Sequence, residues 1–392
     1  MKRNLLGGIT AAAVVGALWL AQGTVGERIE AASIMAPRFE VDPFWPKPLP
    51  NDWLLGSVIG ISVDSRDHVF ITHRPQSLSE NLEIAASTTP PRALCCQPAP
   101  NVLEFDPAGN LVNAWGGPGE GYDWPASNHG ITVDHEDNVW IGGNGRNDAH
   151  ILKFTRNGDF IAQYGKPGMA IDSNATTHFG RVAEVSIDPE RNIAYVADGY
   201  AHKRIAVLDV ETGEFLRYWG AYGNTPNDDA MGRYDPKAEP AQQFRNPVHC
   251  AQPSSDGLVY VCDRVNDRIQ VFTPEGEFVK EAFIAKETLG AGSVWDLDFS
   301  KDDAQTYLYL VDGQNHRVYI LLRDTLELIT TFGAGGRQPG QFFGVHSVAV
   351  DSKGNLYTTE TYEGKRLQKF VYRGLAPVPA GEQGTPWPAE AL

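Results

Sequence analysis

A pattern of four short apolar segments joined by tight turns recurs along this chain every 40 to 50 residues. Few folds accommodate it. One copy reads HGITVD, HEDN, VWIGG, NGRNDA, HILKF, TRNGD, FIAQYG. The next reads VAEVSID, PERN, IAYVADG, YAHKR, IAVLD, VETGE, FLRYWG. Later copies begin VHCAQPSSDG, SVWDLDFS and VHSVAVD. A more degenerate first copy begins IGISVD and carries an insertion over residues 74–100. Turns such as PEGE and RNGD place Gly where a hairpin requires positive φ. The 40 Gly and 26 Pro suit many strands and many turns. Four strands per repeat at this period predict an all-β fold, a six-bladed β-propeller.

The copies define blades one to six over residues 36–373. The last lacks a fourth strand, whereas an extended stretch, residues 38–45 (RFEVDPFW), precedes the first. Lending that stretch to blade six closes the ring and removes two exposed edges. The Pro-rich tail, residues 374–392, is expected at the surface.

The first strand of each blade lines the central channel, so equivalent positions form a ring. One position reads Ile59, His129, Ala183, His249, Trp295 and His346 around the six blades. His falls in alternate blades, about 120° apart on a six-bladed ring. Three imidazoles so placed aim at one point, the arrangement of a tripodal zinc site with an open fourth position. Ligand type alone also admits iron, cobalt or copper. His135 and His202 lie off this register.

The end of each second strand lies beside the start of the first. Residues just after it therefore surround the histidines: His73-Arg74, Gly143-Asn144, Gly199-Tyr200, Asp263-Arg264, Gly313-Gln314 and Thr361-Tyr362. An arginine fork there can clamp a carboxylate. A tyrosine beside a guanidinium and a metal can serve as a base.

A net charge of −16 repels phosphate backbones and argues against nucleic acid as a partner. Lys2, Arg3 and the apolar run over residues 5–21 predict a signal peptide or an uncleaved N-terminal anchor within residues 1–30. Export, to a periplasm or out of the cell, would meet an oxidising compartment. Cys250 and Cys262 lie on consecutive strands and can form either a cross-strand disulfide or two buried thiols. Cys95 and Cys96 are adjacent and could bridge.

In these residues the chain resembles the peptidyl-α-hydroxyglycine α-amidating lyases, propellers of the NHL-repeat type. The resemblance implies zinc held by His129, His249 and His346. It implies catalytic roles for Arg74 in FITHRP, Tyr200 in an Asp-Gly-Tyr loop and Arg264 in an Asp-Arg loop. The family's structural calcium uses an Asp directly after the third histidine. Ser347 stands there instead, with Glu184 and Asp296 as candidate substitutes at that register.

The expected function is a zinc-dependent C–N lyase that splits an α-hydroxyglycine-type carbinolamide into an amide and glyoxylate. The substrate would be a peptide or small molecule bearing a carboxylate, and the protein a monomer with no membrane contact beyond a possible anchor. A metal-dependent propeller hydrolase or lactonase, and a non-catalytic NHL binding module, are the alternatives. A lactonase would need channel carboxylates and Asn as ligands.

Overall fold

Six four-stranded antiparallel sheets surround a channel in the computed structural model, which describes residues 34–378. The predicted export segment, residues 1–30, and the tail beyond residue 378 lie outside the described residues. Among those described, no helix is long and apolar enough to cross a membrane. Blades one to five run in chain order from an inner to an outer strand; blade two, for example, comprises Asn128–Val133, Val139–Gly143, His150–Phe154 and Phe160–Gly165.

Burial follows from this layering. Second and third strands, such as Val139–Gly143 and Arg268–Phe272, are buried on both faces between neighbouring sheets. Outer strands such as Phe278–Phe283 have no fully buried residue, expose their first two positions and carry the charges of Lys280 and Glu281.

Closure is as the sequence predicts. Met35–Asp42 adds as the fourth strand of blade six, beside Arg366–Pro377. Phe39 from this strand is buried against Tyr309, Phe332 and Tyr372. One fully buried Phe contributes about 2–3 kcal/mol, so the N-terminal strand staples the last blade with more than backbone hydrogen bonds. The pairing ends short of Trp45, which packs between Phe105 of blade one and Tyr357 of blade six.

The aspartates that punctuate the repeat have two separate jobs. Those after the first strand cap the following turn: Asp64 accepts from the Arg66 and His68 amides, Asp134 from Glu136 and Asn138, and Asp351 from Lys353 and Asn355. The acids ending the second strand pair with an Arg that opens the third: Asp198 with Arg204 at 2.9 Å, Asp263 with Arg268 at 2.7 Å, Glu360 with Arg366 at 2.7 Å. Each pair fixes the loop between, the segment that faces the channel mouth.

Both cysteine pairs are bonded, Cys250 to Cys262 and Cys95 to Cys96, and no described cysteine is free. The cross-strand alternative therefore holds for Cys250 and Cys262. The insertion in blade one contains two single-turn 3-10 segments, and its last part, Gln97–Pro98, pairs in parallel with Trp53–Leu54 ahead of the blade's first strand. An ion pair from Glu83 to Lys365 ties it to blade six.

Candidate metal centre and channel site

The inner strands are not regular where the histidines sit. Pairing registers shift between Val58 and Gly60, His129 and Ile131, Val248 and Ala251, and Val345 and Val348. A bulge inserts one extra residue and re-aims the local side chains. In blades two, four and six it falls on the histidine, and the imidazole turns into the channel.

The three rings stand 4.8 to 5.1 Å apart by centroid, and one ligand nitrogen from each lies within 4.8 Å of the others. His129 and His249 are oriented directly by the blade that follows, His346 through its neighbour Ser347. His129 Nδ1 donates to the Ala183 carbonyl at 2.7 Å, and His249 Nδ1 to the Trp295 carbonyl at 2.5 Å. His346 Nδ1 donates to Ser347 Oγ at 3.0 Å, which in turn reaches the Ile59 carbonyl at 3.5 Å. Ala183, Trp295 and Ile59 are the non-histidine members of the ring register. They act through their backbone, invisible to a search for functional side chains.

With every Nδ1 committed as a donor, all three Nε2 atoms keep their lone pairs. Tyr200 Oη lies 2.9 Å from His129 Nε2 and 3.1 Å from His249 Nε2, yet it has one proton to give. The surplus of neutral nitrogen donors around one point fits a divalent metal with N-ligand preference. Burial, reinforced by the charges of Arg74 and Arg264 and of the histidines on one another, pushes all three imidazoles well below their usual range. They are therefore neutral at physiological pH, the form that ligates metal.

The structure brings Arg74, Tyr200 and Arg264 to this ring. Arg264 is buried; its Nε donates to the Ala291 carbonyl at 2.8 Å and its Nη1 to Tyr200 Oη at 3.3 Å. Its guanidinium lies 3.8 Å from the ring centre of Trp295, a cation–π contact that fixes its plane. Arg74 donates through Nε to the Asn128 carbonyl at 3.1 Å and through Nη2 to Asn144 Oδ1 at 2.8 Å, leaving Nη1 free. Asn144 also accepts from Ser127 Oγ at 2.8 Å. Asn144 occupies in blade two the position that Arg74 and Arg264 hold in blades one and four. Sequence placed it in the ring; its hold on Arg74 is visible only in three dimensions, as is the stacking of Trp295 on Arg264.

Of the histidines set aside by register, His135 is exposed. His202 is buried 2.8 Å from Asp198 and takes no part in the ring.

One residue further along the same strands, Glu184, Cys250 and Asp296 form a second cluster. Cys250 is spent in its disulfide. Asp296 already accepts the Leu297 and Val348 amides at 2.8 and 3.0 Å. Glu184 Oε1 takes Gln252 Nε2 at 3.0 Å while Oε2 has no partner. Burial raises both carboxyls, reinforced at Glu184 by the charges of Asp296 and Asp298 and at Asp296 by that of Asp298, so the pair holds a proton near neutrality. Calcium asks for six to eight oxygens. Two carboxylates, one committed to backbone amides, do not fit it.

The fold and site thus define a six-bladed β-propeller with three histidines converging in its channel. No family model matches the chain. It is similar to peptidyl-alpha-hydroxyglycine alpha-amidating lyase 1 of Drosophila melanogaster, 26% identical over 361 residues that cover 85% of this chain. The chain spans 59% of that relative's length. It is also similar to mouse NHL repeat-containing protein 3, at 25% identity over 86% of this chain and 84% of the relative. Among solved structures, a streptogramin B lyase superposes with a TM-score of 0.51 at 12% identity, covering 86% of this chain and 98% of the other; this is a likeness of fold.

Proposed function

We propose that this protein is an exported, zinc-dependent lyase that cleaves an α-hydroxyglycine-type carbinolamide into an amide and glyoxylate. The observation that carries the reading is the convergence of two histidine Nε2 atoms and Arg264 on the hydroxyl of Tyr200. Three ligands, a cation and a proton acceptor then share one point. Zinc held by His129, His249 and His346 would supply a Lewis acid that polarises the substrate hydroxyl.

The chain's own residues divide the remaining work. Arg74, with one guanidinium nitrogen free, pairs with the glycolate carboxylate. Arg264 holds Tyr200 as the phenolate, which takes the hydroxyl proton and ends as the neutral phenol. The C–N bond then breaks: the C–O bond becomes the aldehyde of glyoxylate, the electron pair leaves on nitrogen, and a proton completes the amide. Trp295 and Asn144 hold the two arginines in place.

The two disulfides agree with an oxidising compartment, periplasmic or extracellular. The substrate is a peptide or small molecule with a carboxylate, the protein acts as a monomer, and the net charge of −16 disfavours nucleic acid.

A second reading, a non-catalytic binding module, draws on the similarity to NHL repeat-containing protein 3, which spans most of that relative. Glyoxylate release from N-benzoyl-α-hydroxyglycine, measured with bound metal for the parent and Tyr200→Phe, decides between them. Tyr200→Phe is expected to retain metal and lose ~10²–10⁴ in kcat, the usual share of general base catalysis. Unchanged turnover removes Tyr200 from the chemistry. No turnover by metal-loaded parent protein favours the binding module.

A further inference from the structure

Beside the metal centre, the structure holds a cavity of about 720 Å³ whose walls continue directly from site residues. Ala201 and Val265 line it, each the next residue after Tyr200 and Arg264. Asn246 joins them, its Nδ2 donating to the carbonyls of Gly199 and His202 at 2.7 and 2.8 Å. A volume of this order suits a ligand of many non-hydrogen atoms. Exposed Ile171 and Leu289 contribute an apolar lip.

Its charge is opposite to that of the protein. In a chain of net charge −16, the cavity gathers Lys203, Arg233 and Arg245 against one carboxylate, Asp228. Asp228 is already engaged, accepting from Ser173 N at 3.0 Å and from Ser173 Oγ at 2.5 Å. Acids act on these cations only from beyond ion-pair distance, Asp228 and Asp229 on Lys203 and Asp263 on Arg245. Arg245 donates to Asn266 Oδ1 and to the Gly232 carbonyl, at 2.9 and 2.7 Å, and Lys203 donates to the Asp229 carbonyl. Among the described residues none of the three cations forms an ion pair. Lys203 is only 6% exposed, and the charges of Asp228 and Asp229 offset only part of what burial costs its ammonium. Burial accordingly lowers its pKa.

We propose that this cavity seats the nitrogen-linked part of the substrate, and that this part carries a second carboxylate. The substrate class is then an α-hydroxyglycine adduct that is anionic at both ends: one carboxylate at Arg74, the other among Lys203, Arg233 and Arg245, with the intervening carbon chain along Val265. Lys203 lies three positions after Tyr200, at most ~10 Å of extended chain. A glutaryl group, or an acidic side chain on the residue preceding the hydroxyglycine, spans such a distance. The inference rests on the lyase reading, and its test separates the two.

Three hydroxyglycine substrates equal in length to within one atom supply the test: N-glutaryl, neutral N-hexanoyl and cationic N-(6-aminohexanoyl). Glyoxylate release should give kcat/KM for the glutaryl substrate about tenfold above hexanoyl, with the aminohexanoyl substrate lowest. Arg233→Gln and Lys203→Met should each shrink the glutaryl-to-hexanoyl ratio towards one. Arg233 is exposed, so its variant reads the effect even if Lys203→Met folds poorly. Calorimetric binding of the uncleavable N-glutarylglycine and N-hexanoylglycine gives the same comparison without chemistry. Equal affinities, or a preference for the cationic substrate, overturn the anionic cavity. Absence of glyoxylate from all three, with N-glutarylglycine still bound more tightly and the preference lost in Arg233→Gln, overturns the lyase reading and leaves the anion site standing.

Discussion

Two layers of the same channel, one residue apart on the same strands, respond to burial in opposite ways. In the upper layer, burial drives His129, His249 and His346 down to the neutral form. In the lower layer, it drives Glu184 and Asp296 up, also towards neutral. Desolvation penalises charge of either sign. The outcomes differ because a neutral imidazole still offers a lone pair, whereas a protonated carboxyl has surrendered part of its capacity as a ligand. The upper layer is also regular, with three like groups in alternate blades. The lower has two acids, a disulfide sulfur, a serine and two glycines. A shared environment therefore makes one layer a candidate metal centre and the other a proton-holding plug.

The largest expected effect breaks the upper layer. His129→Ala, His249→Ala or His346→Ala should each lose most of the zinc, read by metal analysis of purified protein, and with it glyoxylate formation. Glu184→Gln should keep both. Metal retained in full by His249→Ala would show that the ring is not a ligand set.

Next comes a buried histidine outside both layers. His73 stands where blades three and four have Asp198 and Asp263, accepting the Gly56 amide at 3.0 Å and donating to the Pro100 carbonyl at 2.8 Å. Burial pushes its pKa down to about 4 from 6.5. A folded pKa below the unfolded one means the unfolded chain binds the proton more readily. Stability is therefore present above pH ~6.5 and lost as pH falls towards ~4, by up to about 3 kcal/mol. Denaturant melts between pH 4 and 7 should show this slope, and His73→Gln should flatten it. An unchanged slope would assign the acid sensitivity to other groups.

A smaller effect tests the support of Arg74. Asn144→Ala removes the acceptor at Arg74 Nη2. With the hydrogen bond lost but the Asn128 contact kept, kcat/KM should fall about tenfold, mainly through KM, with metal unchanged. Loss of metal in this variant would tie Asn144 to the ring rather than to the carboxylate clamp.

The smallest sharpens the lower layer. Glu184 has a folded pKa raised above its unfolded value, so the stability it contributes is present at low pH and declines as pH rises. Glu184→Gln mimics the protonated form and retains the acceptor for Gln252. Its Tm should match the parent's at pH 4 and exceed it by a few degrees at pH 9. Equal melting at both pH values would mean that the carboxyl is already ionised at neutrality.

Much of this molecule was legible in the sequence because its repeat is strict. The period gave six blades, the missing strand required the N-terminal segment to close the ring, and the register of His129, His249 and His346 predicted their convergence. Arg74, Tyr200 and Arg264 fell beside them because antiparallel pairing puts the end of one strand next to the start of another. These are consequences of local periodicity, which a linear chain records directly. The disulfide between Cys250 and Cys262 was an open alternative, since spacing permits a bridge without requiring one.

Contacts between blades were decided only by tertiary structure. The bulges that turn the histidines inward are single-residue irregularities, which leave no mark in an apolar pattern. The carbonyls of Ala183 and Trp295 that orient His129 and His249 belong to residues whose side chains are irrelevant to that task. The packing of Trp295 on Arg264, the grip of Asn144 on Arg74 and the gathering of Lys203, Arg233 and Arg245 around one cavity join residues 31 to 70 positions apart or carried on separate loops. Nothing in the local sequence favours such pairings. They arise because closing the ring brings the loops of every blade to one mouth, where distance along the chain ceases to matter.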